Sequence, residues 1–466
     1  MFEKPPVFSY NGMVTIKIER VRGECMTNKL AADFNFRSLM KFVMPSMIMM
    51  VFLSLYTIVD GIFISRFVGT VALSATNIVY PVISFELGIG IMLATGTAAL
   101  VSIKMGEGKE DEANENFTFI IVVSLVAGIC FAVFGNLFID QIVEFLGATK
   151  EQFPQAKIYI SVLLYFAPSL LLQIYFQYMM SVAGRPNLGL WLTIIAGILN
   201  VVLDYIFMKP MGMGIYGAAL ATGIGYFSTA IVGIVFFAVK KKGLRLVKVR
   251  ADWKMLLKAV TNGSSEMVSN LATSITTFLF NISIIGFYGN NGVAAITIVF
   301  YFQFLFSSIF IGYTAGVAPI ISYKYGEKNY SQLKHVVKMS IIFIATGSIM
   351  MFAVSRMTIG SILHVFAAGN QSVYNIAKSG FNLFSYSFLF TGFSIMASAM
   401  FTALSNGRVS AVISFARTFG FIVISILVLP RIMGGNGLWI TIPVAEFLSL
   451  ILSGYFYKSL KEEYGY

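Results

Sequence analysis

Twelve long apolar runs constrain what this chain can fold into more than any single motif does. A helix that crosses a bilayer needs roughly 20 predominantly apolar residues. Runs of that kind lie at 39–64, 71–101, 117–139, 157–179, 187–207, 214–239, 256–282, 292–320, 337–357, 378–402, 409–429 and 435–457. Strands of an outer-membrane barrel would alternate polar and apolar residues instead. The sequence therefore predicts an all-α membrane protein with twelve transmembrane helices, which we number as spans 1 to 12.

The composition supports this class and excludes several others. Of the 466 residues, 57% are apolar and 12% are charged, whereas about 25% of the residues of a soluble domain are charged. A soluble enzyme, a disordered chain and a nucleic-acid binder are therefore excluded. Two cysteines and two histidines are too few for a disulfide framework or a His-built metal site. We expect no catalytic activity and no cofactor.

The basic residues predict the orientation of the bundle. Lys and Arg accumulate in the cytoplasmic loops of membrane proteins. If the N-terminus is cytoplasmic, the inner segments carry 25 of the 33 Lys and Arg residues and the outer segments carry seven. We therefore expect both termini to be cytoplasmic.

The first 38 residues contain no apolar run of the kind found in secretory signal peptides. Residues 1–25 are polar and unpatterned, and Met26 begins a fresh segment. Two interpretations stay open: Met26 is the natural start, or residues 1–25 form a flexible cytoplasmic tail.

The two halves of the chain resemble each other at an offset of about 220 residues. The loop signature Lys-x-Gly-Glu occurs at 104–107 and again at 324–327. Further identities in the same register are Gly69 with Gly289, Ala75 with Ala295, Gly96 with Gly316 and Pro210 with Pro430. Each half holds six spans, so the halves share one orientation and are related by an axis along the membrane normal. Two such lobes around a cleft are typical of an alternating-access transporter, which we rank above a channel.

This repeat predicts the domain organisation. A cytoplasmic tail covers 1–38, the first lobe covers 39–239, a basic cytoplasmic linker covers 240–255, the second lobe covers 256–457 and a C-terminal cytoplasmic tail covers 458–466.

Six charged residues lie more than two positions from the ends of the predicted spans, and a charge in the middle of a membrane costs roughly 2.5–3.5 kcal/mol on insertion scales. They are Asp60, Glu86, Asp204, Glu266, Arg417 and Glu446. Each of them is either part of a structural ion pair, a helix-end residue that reaches the interface, or a functional group.

Four polar residues of the first lobe are predicted to converge. Asp60 and Asp204 lie about four residues from the outer ends of spans 1 and 5, and Asn200 precedes Asp204 by one helical turn on the same face. Thr222 lies about 12 Å into span 6. Two neighbouring carboxylates with an amide and a hydroxyl can hold a proton or Na⁺.

The repeat supplies a control for this cluster. The residues 220 positions later are Phe280, Gly420, Ile424 and Ile442, none of which is ionic. The fold therefore does not need these polar groups for packing, which favours a functional role.

In the second lobe, Glu266, Arg417 and Glu446 lie at a similar depth near the middle of spans 7, 11 and 12. We expect Arg417 to pair with one glutamate, and the other glutamate is then a candidate for a substrate cation or a second ion. Glu86, in the middle of span 2, is a further candidate to line the cleft.

Several of these segments together resemble the multidrug and toxic compound extrusion (MATE) transporters, closest to their DinF/MepA-like branch. The resemblance covers residues 35 to 457. It is carried by Pro45, the segments 56–64 and 69–81, Lys-Met-Gly-Glu-Gly at 104–108, Ala-Gly-Arg-Pro-Asn at 183–187 and the segment 197–204.

The resemblance implies twelve helices in two lobes and export of organic cations against inward H⁺ or Na⁺. It implies a first-lobe cation site at Asp60, Asn200, Asp204 and Thr222, and a bend of span 1 at Pro45. Other branches carry acids in spans 7, 8 and 10, but spans 8 and 10 lack acids here.

The sequence therefore predicts a cation-coupled antiporter for amphipathic cationic drugs. We expect it to work as a monomer in a bacterial inner membrane, with the lipid bilayer and its substrates as partners and no nucleic acid. The first alternative is a flippase or exporter for a lipid-linked saccharide or another amphipathic metabolite, which would prefer a basic cleft. The second alternative is a membrane scaffold or receptor, which would need neither buried acids nor a repeat.

Overall fold

The computed structural model describes residues 29–366 and 370–466, so the choice between Met1 and Met26 as the start lies outside the described residues. Within them, every regular element is helical. The first six spans and the connections among them are Lys29–Ala31 (3₁₀), Phe36–Phe63 with the π-helical turn Ile64–Val68, Thr70–Gly106, Glu110–Leu137, Ile139–Phe145, Phe153–Tyr165 with Ala167–Val182, Pro186–Met208 and Gly214–Val239.

The second half follows the same order. Its elements are Trp253–Gly326, Tyr330–Phe366, Gln371–Phe384 with Ser385–Ser387 (3₁₀) and Phe388–Ala403, Gly407–Phe415 with the π-helical turn Ala416–Gly420 and Phe421–Met433, Gly435–Ser459 and Lys461–Tyr464. The helix Trp253–Gly326 begins inside the predicted linker 240–255.

Ten helices of the described residues are long and apolar enough to cross a membrane, and the pair Phe153–Tyr165 and Ala167–Val182, bent by 57°, adds an eleventh. The helix Trp253–Gly326 has 74 residues and is broken by non-helical dihedrals at Gly289. At 1.5 Å per residue its length is about 110 Å, enough for two crossings. Counted as spans 7 and 8, it brings the bundle to the predicted twelve.

The repeat seen in the sequence is also a repeat of helix breaks. Gly69 separates spans 1 and 2 with φ of 121°, and Gly289 separates spans 7 and 8 with φ of 60°. Span 4 is bent between Tyr165 and Ala167, and the 3₁₀ turn Ser385–Ser387 interrupts span 10 at the equivalent positions. The breaks therefore belong to the repeated unit.

The lobes meet through glycines of spans 2 and 8. A Cβ added at Gly106 would collide with the carbonyl oxygen of Tyr323, and one added at Gly326 would collide with that of Ile103. These two contacts are equivalent under the repeat. The backbones of the two halves thus touch directly beside the axis that relates them.

These contacts lie at the end of the bundle that carries the loops following Gly106 and Gly326, which we call the basic end and which the sequence predicts to be cytoplasmic. Along the helix Phe36–Phe63, the buried residues run from Leu39 to Met49, and only Ser54 is buried beyond them. Span 1 is therefore enclosed at the basic end and more exposed toward the opposite end.

The first span is longer than predicted. It was expected to end near residue 64, but the π-helical turn carries it to Val68. Asp60 therefore lies eight residues, or about 12 Å, from that end, and the prediction of about four residues was wrong. Apolar residues of the connection, such as Phe67 and Val68, pack against a neighbouring core cluster, which allows the helix to continue.

Candidate functional site

The carboxyl groups of Asp60 on span 1 and Asp204 on span 5 lie side by side within hydrogen-bonding reach. Asp204 is fully buried, whereas Asp60 is half-buried. One oxygen of each, Oδ1, is buried without a hydrogen-bond partner among residues 29–366 and 370–466. The ion pairs of the described residues all involve other carboxylates. This pair therefore has no Lys or Arg nitrogen within 4 Å in the described part of the chain.

The side chain of Asn200 connects the pair to span 6. Oriented to satisfy its neighbours, the amide donates from its nitrogen to Asp204 Oδ2 at 3.1 Å. Its oxygen accepts from Thr222 Oγ1 at 3.3 Å and from the Thr222 backbone N–H at 3.2 Å. Asn200 and Thr222 are both buried. The structure thus brings together all four residues that the sequence places in the first-lobe cluster.

A glycine on span 5 permits spans 1 and 5 to approach. A Cβ added at Gly197 would lie 2.5 Å from Cε1 of Phe52 on span 1. Small residues let helix backbones approach closely within a membrane. They allow polar groups from the two helices to meet.

A narrow crevice adjoins Asn200 and Thr222, and sequence reasoning missed most of its lining. Its other polar side chains are Tyr56, Gln173, Thr193 and Tyr226. The spacing of Tyr56, one turn before Asp60 on the same face, could have identified that residue. The others are isolated polar residues in apolar runs, whose direction the sequence alone does not specify.

In the second lobe, Arg417 pairs with Glu446. Its Nε donates to Glu446 Oε1 at 2.9 Å and to Oε2 at 3.0 Å. Arg417 lies in the π-helical turn Ala416–Gly420, and Glu446 is buried. Glu266 is half-buried and close enough to Arg417 for their charges to interact, but it forms no ion pair within 4 Å in the described residues. Arg417 therefore binds one glutamate and leaves the other available.

The remaining predicted residues lie apart from these clusters. Glu86 is only 1% exposed, and its Oε1 has no hydrogen-bond partner in the described part of the chain. Pro45 is buried inside span 1, and the helix continues through it without a break. Gly312 of span 8 packs against this region, where an added Cβ would lie 2.5 Å from Cα of Met47. Because proline has no N–H, the helix lacks one backbone hydrogen bond here.

The family model MatE matches residues 45–206 and again residues 267–428, once in each lobe. A multidrug export protein MepA of Staphylococcus haemolyticus is 24% identical over 429 residues, covering 91% of this chain and 94% of that protein. MepA of Staphylococcus aureus strain RF122 is 24% identical over 418 residues, covering 89% and 91%. A multidrug resistance MATE family transporter solved in an outward-facing conformation has the same fold, with a TM-score of 0.88 at 23% identity over 93% of this chain and 97% of that one. Because the family model covers more than half of the sequence, this chain belongs to the MATE family of membrane transporters.

Proposed function

We propose that this protein exports amphipathic organic cations from the cytoplasm in exchange for H⁺ or Na⁺ bound at Asp60 and Asp204. The observation that carries the proposal is a pair of adjacent carboxyl groups without a basic partner. Two like charges 4 Å apart repel by about 4 kcal/mol at an effective dielectric constant of 20, and burial removes their hydration. One proton or one metal cation relieves this repulsion, so binding of an ion changes the energy of the site.

The location of the pair connects ion binding to a movable helix. Asp60 lies on span 1, whereas Asp204, Asn200 and Thr222 lie on spans 5 and 6. An ion at the pair therefore draws span 1 toward the rest of the first lobe. The missing backbone hydrogen bond at Pro45 makes span 1 easier to bend at that residue, which lies in the half of the helix nearer the basic end. An inward cation gains roughly 2.3 kcal/mol per 100 mV of membrane potential, which drives the exchange.

The charge of the second lobe supports a cationic substrate. Glu446 neutralises Arg417, and Glu266 adds a carboxylate that forms no ion pair with any residue the structure describes. Tyr178 lies close enough to Glu266 to sense its charge and, with Met49 and Met50, lines a small cavity between the lobes. Aromatic faces and flexible thioethers suit varied lipophilic cations. A flippase for anionic lipid-linked saccharides would instead require free basic groups in the cleft.

The relatives named multidrug export proteins support the same substrate class. Both lobes belong to one chain, so we propose that a monomer in the bacterial inner membrane is the transporting unit.

Uptake of a cationic dye by inverted vesicles tests the proposal. An imposed pH gradient or Na⁺ gradient is applied separately, which identifies the coupling ion. We expect Asp60→Asn and Asp204→Asn each to abolish ion-driven uptake, because each removes a negative charge from the pair. Asp140→Asn, which changes an exposed carboxylate paired with Lys157, is the control. Normal uptake by both site variants would refute the mechanism, and lipid scrambling without dye uptake would favour the flippase.

A further inference from the structure

A column of hydroxyl groups runs along one face of span 10 inside the second lobe. Its members follow a helical spacing and are at most 6% exposed: Ser387, Thr391, Ser394, Ser398 and Thr402. From first to last they extend for about 22 Å, a large part of the roughly 30 Å hydrocarbon thickness. We call this set the hydroxyl column.

Spans 7 and 11 continue the column with further hydroxyls. Ser398 Oγ lies 2.7 Å from Ser414 Oγ and 2.9 Å from Ser410 Oγ. Ser410 Oγ lies 2.8 Å from Thr402 Oγ1, which in turn lies 3.4 Å from Ser265 Oγ. Each hydroxyl can donate and accept. Ser410 Oγ also donates to the carbonyl oxygen of Ser398 at 2.9 Å. In each hydroxyl–hydroxyl bond either oxygen can be the donor, as proton transfer along hydroxyls requires.

The column has two distinct ends. Toward the basic end, Asn262 donates from Nδ2 to the carbonyl oxygen of Thr402 at 2.9 Å, one residue before span 10 ends. Toward the middle of the bundle, Thr391 and Ser394 lie beside the carboxylate of Glu446. The hydrogen-bonded hydroxyls thus extend from the end of the protein that the sequence predicts to be cytoplasmic as far as Ser398 and Ser414, and the gap between Ser398 and Ser394 separates them from the Arg417–Glu446 pair.

Three buried oxygens of the column and its basic end have no hydrogen-bond partner among the described residues. They are Asn262 Oδ1, Ser387 Oγ and Ser394 Oγ. Leaving a buried polar atom unpaired costs about 1–3 kcal/mol, and buried water usually satisfies such atoms. Unpaired oxygens next to a hydroxyl chain indicate positions for water molecules.

Close helix packing alone does not explain the column, although serine and threonine do serve that purpose in membranes. The repeat-equivalent positions of Ser398, Thr402, Ser410 and Ser414 are occupied by Tyr178, Val182, Leu190 and Ile194. The same arrangement of helices therefore packs in the first lobe with one tyrosine and three apolar side chains in place of these serines and threonines. The π-helical turn Ala416–Gly420 is a further difference, since the helix Pro186–Met208 is regular there.

We propose that the hydroxyl column and its water molecules form a proton path from the basic end to Glu446, which gives the second lobe a proton-binding site of its own. A hydronium ion at the basic end gives its proton to the chain, and the proton released at the other end binds the Glu446 carboxylate. The neutral carboxyl group then no longer holds Arg417, which becomes free to pair with Glu266.

The groups that face Glu446 limit what can titrate there. Span 11 contributes Arg417, span 10 contributes Thr391 and Ser394, and span 7 contributes Glu266 through Arg417. Arg417 does not lose its proton in proteins. A protonation change at this site therefore belongs to Glu446 or Glu266. Replacing each glutamate in turn shows which of the two takes up the proton.

Accessibility of introduced thiols tests the water in the column. In a protein with Cys25 and Cys130 replaced by serine, Ser398→Cys is exposed to Ag⁺, and the thiols left unreacted are labelled with a dye after denaturation. We expect Ser398→Cys to lose dye labelling because Ag⁺ enters through water. Ala397→Cys is the matched control, because Ala397 is buried at the same depth in an apolar cluster and should keep its labelling. Equal labelling of the two variants would overturn the proposal.

Infrared difference spectroscopy on acidification tests the proton at Glu446. We expect a protonated-carboxyl band that persists in Asp60→Asn/Asp204→Asn and in Glu266→Gln but disappears in Glu446→Gln. If Glu446→Gln does not fold because Arg417 loses its partner, Arg417→Gln/Glu446→Gln removes both charges together. A band unchanged by either Glu446 variant would refute the site. Because the double aspartate variant lacks the first-lobe site, this result is independent of the antiport proposed above.

Discussion

Replacing Lys324 by methionine should destabilise the protein much more than replacing Lys104, its equivalent in the first half. The side chain of Lys324 is fully buried, whereas that of Lys104 is 26% exposed. Lys324 Nζ donates to the carbonyl oxygen of Ala31 at 3.0 Å and to Glu327 Oε2 at 2.9 Å. It thereby attaches the segment before span 1 to the end of span 8.

The magnitude follows from the two hydrogen bonds. A hydrogen bond to a charged group contributes about 1.5–3 kcal/mol. Glu327 is 35% exposed and can be rehydrated, so its bond is expected at the low end of this range. The loss for Lys324→Met is then about 3 kcal/mol. Among the described residues, Lys104 bonds to Glu112 alone, which is 54% exposed, and exposed pairs contribute about 0–1 kcal/mol.

The free energy of unfolding in mixed detergent–lipid micelles, titrated with a denaturing detergent, measures this difference. Lys104→Met is the matched control, because it removes the same side chain at the equivalent position. A loss for Lys104→Met as large as that for Lys324→Met would contradict the reasoning from burial. Unchanged stability in both variants would show that the Ala31 contact is not maintained.

Three further variants test other parts of the structure. Gly326→Ala should separate the lobes at the basic end, because its Cβ collides with the carbonyl of Ile103. Distances between spin labels on the two lobes measure this separation. Gly454→Ala, which has open space around it, is the control and should leave those distances unchanged. Asn35→Ala should lower stability by about 1 kcal/mol, because Asn35 forms a capping box with Ser38; a thermal melt checks it. Asn200→Ala should weaken ion-driven dye uptake while substrate binding without a gradient persists, since it removes the donor to Asp204; unchanged uptake would contradict that role.

The sequence was informative where length and spacing decide the outcome. A run of roughly 20 apolar residues has few alternatives to a transmembrane helix, so the spans were predictable. Asn200 and Asp204 had to share a face because they are one turn apart. Thr222 could be placed near them from its depth along span 6.

Lateral packing was not predictable in the same way. Faces that contact lipid and faces that contact protein are both apolar in a membrane, so periodicity does not identify which residues meet. Two glutamates lie at a depth similar to that of Arg417. Which of them forms the ion pair depends on how spans 7, 11 and 12 are rotated about their own axes, and that rotation brings Glu446 to Arg417. The same reason explains why Gln173 and Thr193 were missed. The continuation of span 1 to Val68 depends on packing of the connecting segment and not on its propensity.

The glycines at the basic end have a consequence for the history of a duplicated gene. Gly106 and Gly326 each face the backbone of the other half, so a side chain acquired at either position would collide with that backbone. Substitution at either glycine is therefore restricted by the backbone of the other half. Asp60 and Phe280, which lie at equivalent positions away from this contact, are not subject to this constraint and differ in chemistry. A symmetric contact can thus join the two halves and still leave other equivalent positions free to differ.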